Sequence, residues 1–174
     1  PKNEVKGIRV EDYERVTTEV CDMLSEKCKR QEKIGIGDFA LSAVKVMMKT
    51  PPRQNLLLGY YLLCAPLFST AAKLSQSTKK HKQQNASWKI FWKECEKSIR
   101  TSPVQTTIKI SKAIVESNPG GLKKPGGKRL NTDYDLTNTG IEAKILRDQL
   151  NIVDFFEESA HFDTISQQIT TNFE

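Results

Sequence analysis

The chain has 174 residues, 37% of them hydrophobic and 28% charged. That balance suits one soluble domain on the polar side, long enough to bury a sizeable core. With 27 Lys and Arg against 21 Asp and Glu the net charge is +6 and the pI about 9.1. Such a surplus points to an anionic partner (nucleotide, nucleic acid or phosphorylated metabolite) or to a generally Lys-rich surface. The four Cys form no C-x-x-C pair and have no His pair beside them, which argues against a zinc site. They read as free, buried thiols in a reducing compartment, and so as a cytoplasmic protein.

The first residues, "PKNEVKGIRVEDY", have no signal-peptide pattern and do not begin with Met. The chain therefore reads as a mature or trimmed piece. Residues 11–31 place Tyr13, Val16, Val20, Leu24 and Cys28 at helical spacing. Residues 38–49 do the same with Phe39, Ala43, Val46 and Met47, and Asp38 after "GIG" predicts an N-cap. Residues 55–72, "NLLLGYYLLCAPLFSTAA", are apolar on every face. The run falls short of a membrane span of about 20 residues and has no partner span. It is expected to be a fully buried central helix, kinked or ended at Pro66.

Residues 75–87 form a polar, cationic connector whose "KKHK" suits either phosphate contact or a solvated loop. In 88–100 the stripe Trp88, Phe91, Trp92, Cys95 and Ile99 predicts a helix with that face in the core. Ser102, Pro103 and Gln105 predict a capping box opening a helix through Val104, Ile108, Ala113 and Val115 that stops near Asn118. A second box, Thr139 to Glu142, opens a helix through Ile141, Ile145 and Leu146. A last amphipathic stretch begins near Asp163. No alternating β-branched run, repeat, P-loop, dinucleotide fingerprint, nucleophile elbow or kinase signature is found. The expected fold is all-α, a single-domain helical bundle over residues 1–174.

The stretch "SNPGGLKKPGGKRL" at 117–130 concentrates four of the nine Gly within eight positions and mixes them with cations. It is either a solvated linker with a glycine C-cap or a loop whose backbone approaches an anion. In the second reading Gly120 and Gly121 bare backbone N–H donors. Lys123, Lys124, Lys128 and Arg129 then supply charge.

Four segments in order, "DFALSA" at 38–43, "NLLLGYYLLCAPL" at 55–67, "SNPGGL" with "DYDL" at 117–136, and "FDTISQQITTNFE" at 162–174, resemble the triphosphoribosyl-dephospho-CoA synthase family and its malonate-decarboxylase counterpart. The resemblance implies an all-helical enzyme that joins ATP to dephospho-CoA and releases adenine. It implies that Asn55, Gly59, Asn118, Gly120, Gly121 and the loop cations bind substrate. It also marks Asp133, Asp135 and Asp38 as catalytic carboxylates, with Asp133 and Asp135 as ligands for Mg²⁺ bridging the phosphates. The chain departs from the family pattern at Leu57, where a second Asn would stand, and at Tyr134, where a His would stand. Ile169 and Asn172 replace a late Tyr and Gly. A rival reading is a non-catalytic basic module that binds nucleic acid or a protein through its Lys-rich connectors.

Overall fold

The computed structural model describes residues 7–78, 88–119, 136 and 140–173. Among these the elements are helical throughout, with no strand: α1 (Val10–Lys29), α2 (Ile36–Lys49), α3 (Leu58–Thr78), α4 (Trp88–Arg100), α5 (Val104–Ser117), α6 (Ile141–Arg147), α7 (Ile152–Glu157) and α8 (Thr164–Thr170). One core takes buried side chains from every helix. No described helix is long and apolar enough to cross a membrane.

The helical periods set which faces are buried. In α1, Val16, Val20 and Leu24 recur every four residues and are buried, while Tyr13 and Cys28 at the stripe's ends stay exposed. The first turn of α1 carries Glu11 and Asp12 and the last Lys27 and Lys29, charges that complement the helix dipole. The most enclosed helix is α2, which buries Ile36, Phe39, Ala40, Ala43, Val44 and Met47 against α1, α3 and α5.

The apolar run at 55–72 becomes α3, but it is not buried all round. Tyr61, Leu62, Ala65 and Thr70 face inward, whereas Tyr60 is 57% exposed. Nor does Pro66 end the helix, which continues to Thr78. Proline removes one backbone donor, and contacts with α2, α4 and α8 hold the helix across that gap.

Three other local expectations are corrected. Ser102 does not cap α5, whose N-cap is Pro103. Its hydroxyl instead accepts from the Ile152 N–H at 3.1 Å and so ties the start of α5 to that of α7. In α4 only Cys95 and Ile99 are buried, and Trp88 is 75% exposed. The N-terminal end of α4 overhangs the bundle, and its rings pack edge-to-face on one another, Trp88 on Phe91 and Phe91 on Trp92. Of the four free thiols Cys95 is buried and Cys64 half-buried, but Cys21 and Cys28 are exposed.

The chain's last third is short helices with explicit caps. Asn151 accepts from the N–H groups of Val153 and Asp154 at the start of α7, and Asp163 accepts from Ser166 N–H at the start of α8. Thr139 lies outside the described residues. Gly140 is the N-cap of α6, and Glu142 pairs with Lys112 of α5 at 2.9 Å.

Candidate functional site

Asp38 lies in the first turn of α2, three positions past the N-cap Gly35, and is not the cap itself. Its carboxylate accepts a hydrogen bond from Lys109 Nζ of α5 at 2.6 Å. Both side chains keep 40–47% of their surface in water, so a substrate can reach the pair. The approach is made possible one residue earlier. A Cβ on Gly37 would stand 2.8 Å from Lys109 Cβ and 2.9 Å from the Thr106 carbonyl oxygen. The α5 backbone therefore lies directly on α2 there, as only glycine allows.

The close approach involves Thr106 and Lys109, in the first two turns of α5, and α2 with α5 is the most extensively packed helix pair among the described residues. Asp38 lies in the first turn of α2, and Asn118 is the C-cap of α5. Asn118 adopts the left-handed conformation with φ of 48°, a turn Asn tolerates better than most residues. The Gly/Lys-rich segment follows it in the sequence. Gly120, Gly121, Lys123, Lys124, Lys128, Arg129, Asp133 and Asp135 lie outside the described residues.

Asn55 and Gly59 occupy the start of α3. The Asn55 side-chain oxygen accepts from the Leu58 N–H at 3.2 Å, which caps the helix. Gly59 faces α8, where an added Cβ would meet Ile165 at 3.1 Å. The Leu57 N–H meets Met47 Sδ at 3.3 Å, which sets this corner beside the last turns of α2. Of the expected site residues, Asn55 thus stands near the end of α2, whose first turn carries Asp38, and Asn118 ends α5.

A concavity that was not foreseen lies elsewhere. A groove of about 860 Å³ opens between α1 and α3, with Phe39 of α2 among its lining and Trp88 and Phe91 of α4 beside it. Val20, Leu24 and Cys28 line one wall, and Cys64, Leu67 and Ala71 the other. Among the described residues no lining residue is charged. The neighbouring Cys64 thiol raises the Tyr60 pKa. Burial pushes the Cys64 thiol up, against the opposing effect of its interaction with Tyr60. Tyr61 also lines it. Its hydroxyl is buried without a partner, and burial raises its pKa well above the usual range. The signal in the sequence was the all-round apolar character of α3. A helix apolar on every face, yet open to solvent on one, leaves that face for something else to cover.

Among the described residues no group of three or more His, Cys, Asp or Glu is placed to hold a metal ion.

Residues 12–174 match the family model CitG, described as ATP:dephospho-CoA triphosphoribosyl transferase. No curated protein and no solved structure matches the chain. The match covers nearly all of the sequence, and the chain belongs to this family of transferase enzymes, whose substrates are ATP and dephospho-CoA.

Proposed function

We propose that the protein transfers the triphosphoribosyl group of ATP to a hydroxyl of dephospho-CoA with release of adenine. The acceptor oxygen bonds to the ribose anomeric carbon as the bond from that carbon to adenine breaks. The hydroxyl proton passes to a carboxylate, and the departing adenine takes up a proton. The reaction therefore needs a base, a grip on the phosphates and stabilisation of an electron-poor ribose carbon.

The family match over residues 12–174 carries this reading. The architecture supports it at two points. Asn118 ends α5, and the glycine and lysine segment follows it directly in the sequence. Backbone N–H groups at Gly120 and Gly121, with Lys123, Lys124, Lys128 and Arg129, would hold the triphosphate. Asp38 is a half-exposed carboxylate held in place by Lys109 and is a candidate base beside Asp133 and Asp135. In this reading Asp133 and Asp135 hold Mg²⁺, which offsets phosphate charge when bound.

The test is to incubate the purified chain with ATP, dephospho-CoA and Mg²⁺ and to follow products by mass spectrometry. A product with the mass of both substrates less adenine supports the reading. Nucleotide hydrolysis alone, or no change, contradicts it.

A further inference from the structure

Dephospho-CoA has two unlike halves. One is an adenosine diphosphate, which needs cations. The other is the pantetheine arm, a long, linear, uncharged chain with two amides and a terminal thiol. The expected cationic loop suits the first half only.

The groove between α1 and α3 has the properties the arm requires. It is long, since its lining on α3 runs from Tyr60 to Leu74, about 21 Å of helix. Its described lining carries no charged side chain, so among those residues no ionic group is stripped of water when an apolar chain fills it. Its walls are mostly apolar but interrupted by hydroxyl and thiol groups at Thr17, Ser25, Tyr60 and Cys64, which can serve amides. Its volume of about 860 Å³ lies within the range of ligand sites that enclose most of a bound molecule. Its Tyr60 end begins immediately after Gly59 and less than two turns from Asn55, two positions expected to meet substrate. The unpartnered Tyr61 hydroxyl lies in the same lining.

We infer that this groove is the acceptor subsite, taking the uncharged pantetheine arm of dephospho-CoA along α3 while the nucleotide half stays outside at the Tyr60 end. The inference rests on the reaction proposed above for the choice of ligand and on the groove itself for the place.

The test uses the whole chain in reducing buffer. Titration calorimetry measures dephospho-CoA and ATP separately on the wild type and on two groove-filling variants, Ala71→Trp and Thr17→Phe. Both positions are exposed on opposite walls, so the fold should tolerate them. The expected result is at least a tenfold loss of dephospho-CoA affinity in each variant, with ATP affinity within twofold of wild type. Unchanged dephospho-CoA affinity in both variants overturns the subsite while leaving the reaction standing. Pantetheine with its thiol methylated, in buffer exchanged free of reductant, is tested for slowing alkylation of Cys64, read by peptide mass spectrometry. Should the wild type bind neither nucleotide, the reaction fails instead, and the groove is judged by this second probe. Saturable protection of Cys64 supports the arm site, and absence of protection overturns it.

Discussion

Lys109 Nζ meets Asp38 Oδ1 at 2.6 Å, across 71 positions of sequence, and so joins the first turn of α2 to α5. The pair is half in water, where an ion pair contributes about 0–1 kcal/mol. Asp38→Asn should therefore leave the melting temperature nearly unchanged. If Asp38 takes part in proton transfer, the same change should lower kcat by on the order of 10²–10⁴. Thermal melting and initial rates on one preparation check both. Full activity in Asp38→Asn would remove Asp38 from the reaction and leave its role structural.

Gly37 is where α5 lies closest to α2. A Cβ there meets a backbone carbonyl oxygen at 2.9 Å as well as Lys109 Cβ at 2.8 Å, and a carbonyl cannot swing aside. Gly37→Ala should cost about 1–3 kcal/mol through overpacking. Urea unfolding measures this as a fall in midpoint at unchanged slope. A variant as stable as wild type would mean that the two helices are less tightly apposed than described.

Tyr61 is 2% exposed and its hydroxyl has no partner. Tyr61→Phe removes a buried polar group that makes no bond and should raise stability by on the order of 1 kcal/mol. The pH dependence follows from the same burial. The folded protein keeps this phenol neutral above its usual pKa of 10.0. Stability from that preference is complete below pH 10 and is lost as pH rises further, because the unfolded chain ionises first. The thiols of Cys64 and Cys95, also pushed up by burial from 9.0, act in the same sense from about pH 9. Denaturation midpoints between pH 8 and 11 should fall for the wild type and fall less steeply above pH 10 for Tyr61→Phe.

Most of the helices were legible in the sequence because their signals are local, but α7 (Ile152–Glu157) was not read from it. Stripes such as Val16, Val20 and Leu24, and caps such as Asp163, act within a few residues. What was not legible depended on distant partners. Ser102 has the look of a helix cap, but its hydroxyl is used 50 residues away by Ile152. Trp88 follows the apolar stripe of α4, yet nothing in the stripe says that the helix end overhangs the bundle. The periodicity of α3 was ambiguous because an all-round apolar helix gives no direction. Only its neighbours show that one side opens on a groove. Of the site, the position of Asp38 was legible and its partner Lys109 was not, since the pairing arises from the contact of two separate helices.

The cationic segment after Asn118 should be separable from stability. Replacing Lys123 and Lys124 by Ala should weaken Mg–ATP binding by about 1–3 kcal/mol, the range for charge-assisted contacts. The melting temperature of the free protein should barely move. Asp135→Asn should lower turnover or metal dependence more than nucleotide affinity. Calorimetry with ATP and rate measurements over a Mg²⁺ series decide this. If none of the three substitutions changes binding or rate, the segment is a linker.

The central claim is that a C–N bond of ATP is exchanged for a C–O bond to dephospho-CoA. It is tested most directly with two samples of ATP, one labelled in adenine and one in ribose. The expected outcome is ribose label in the dephospho-CoA product and adenine label released in equal amount. Adenine label carried into the product, or neither label transferred, would contradict it.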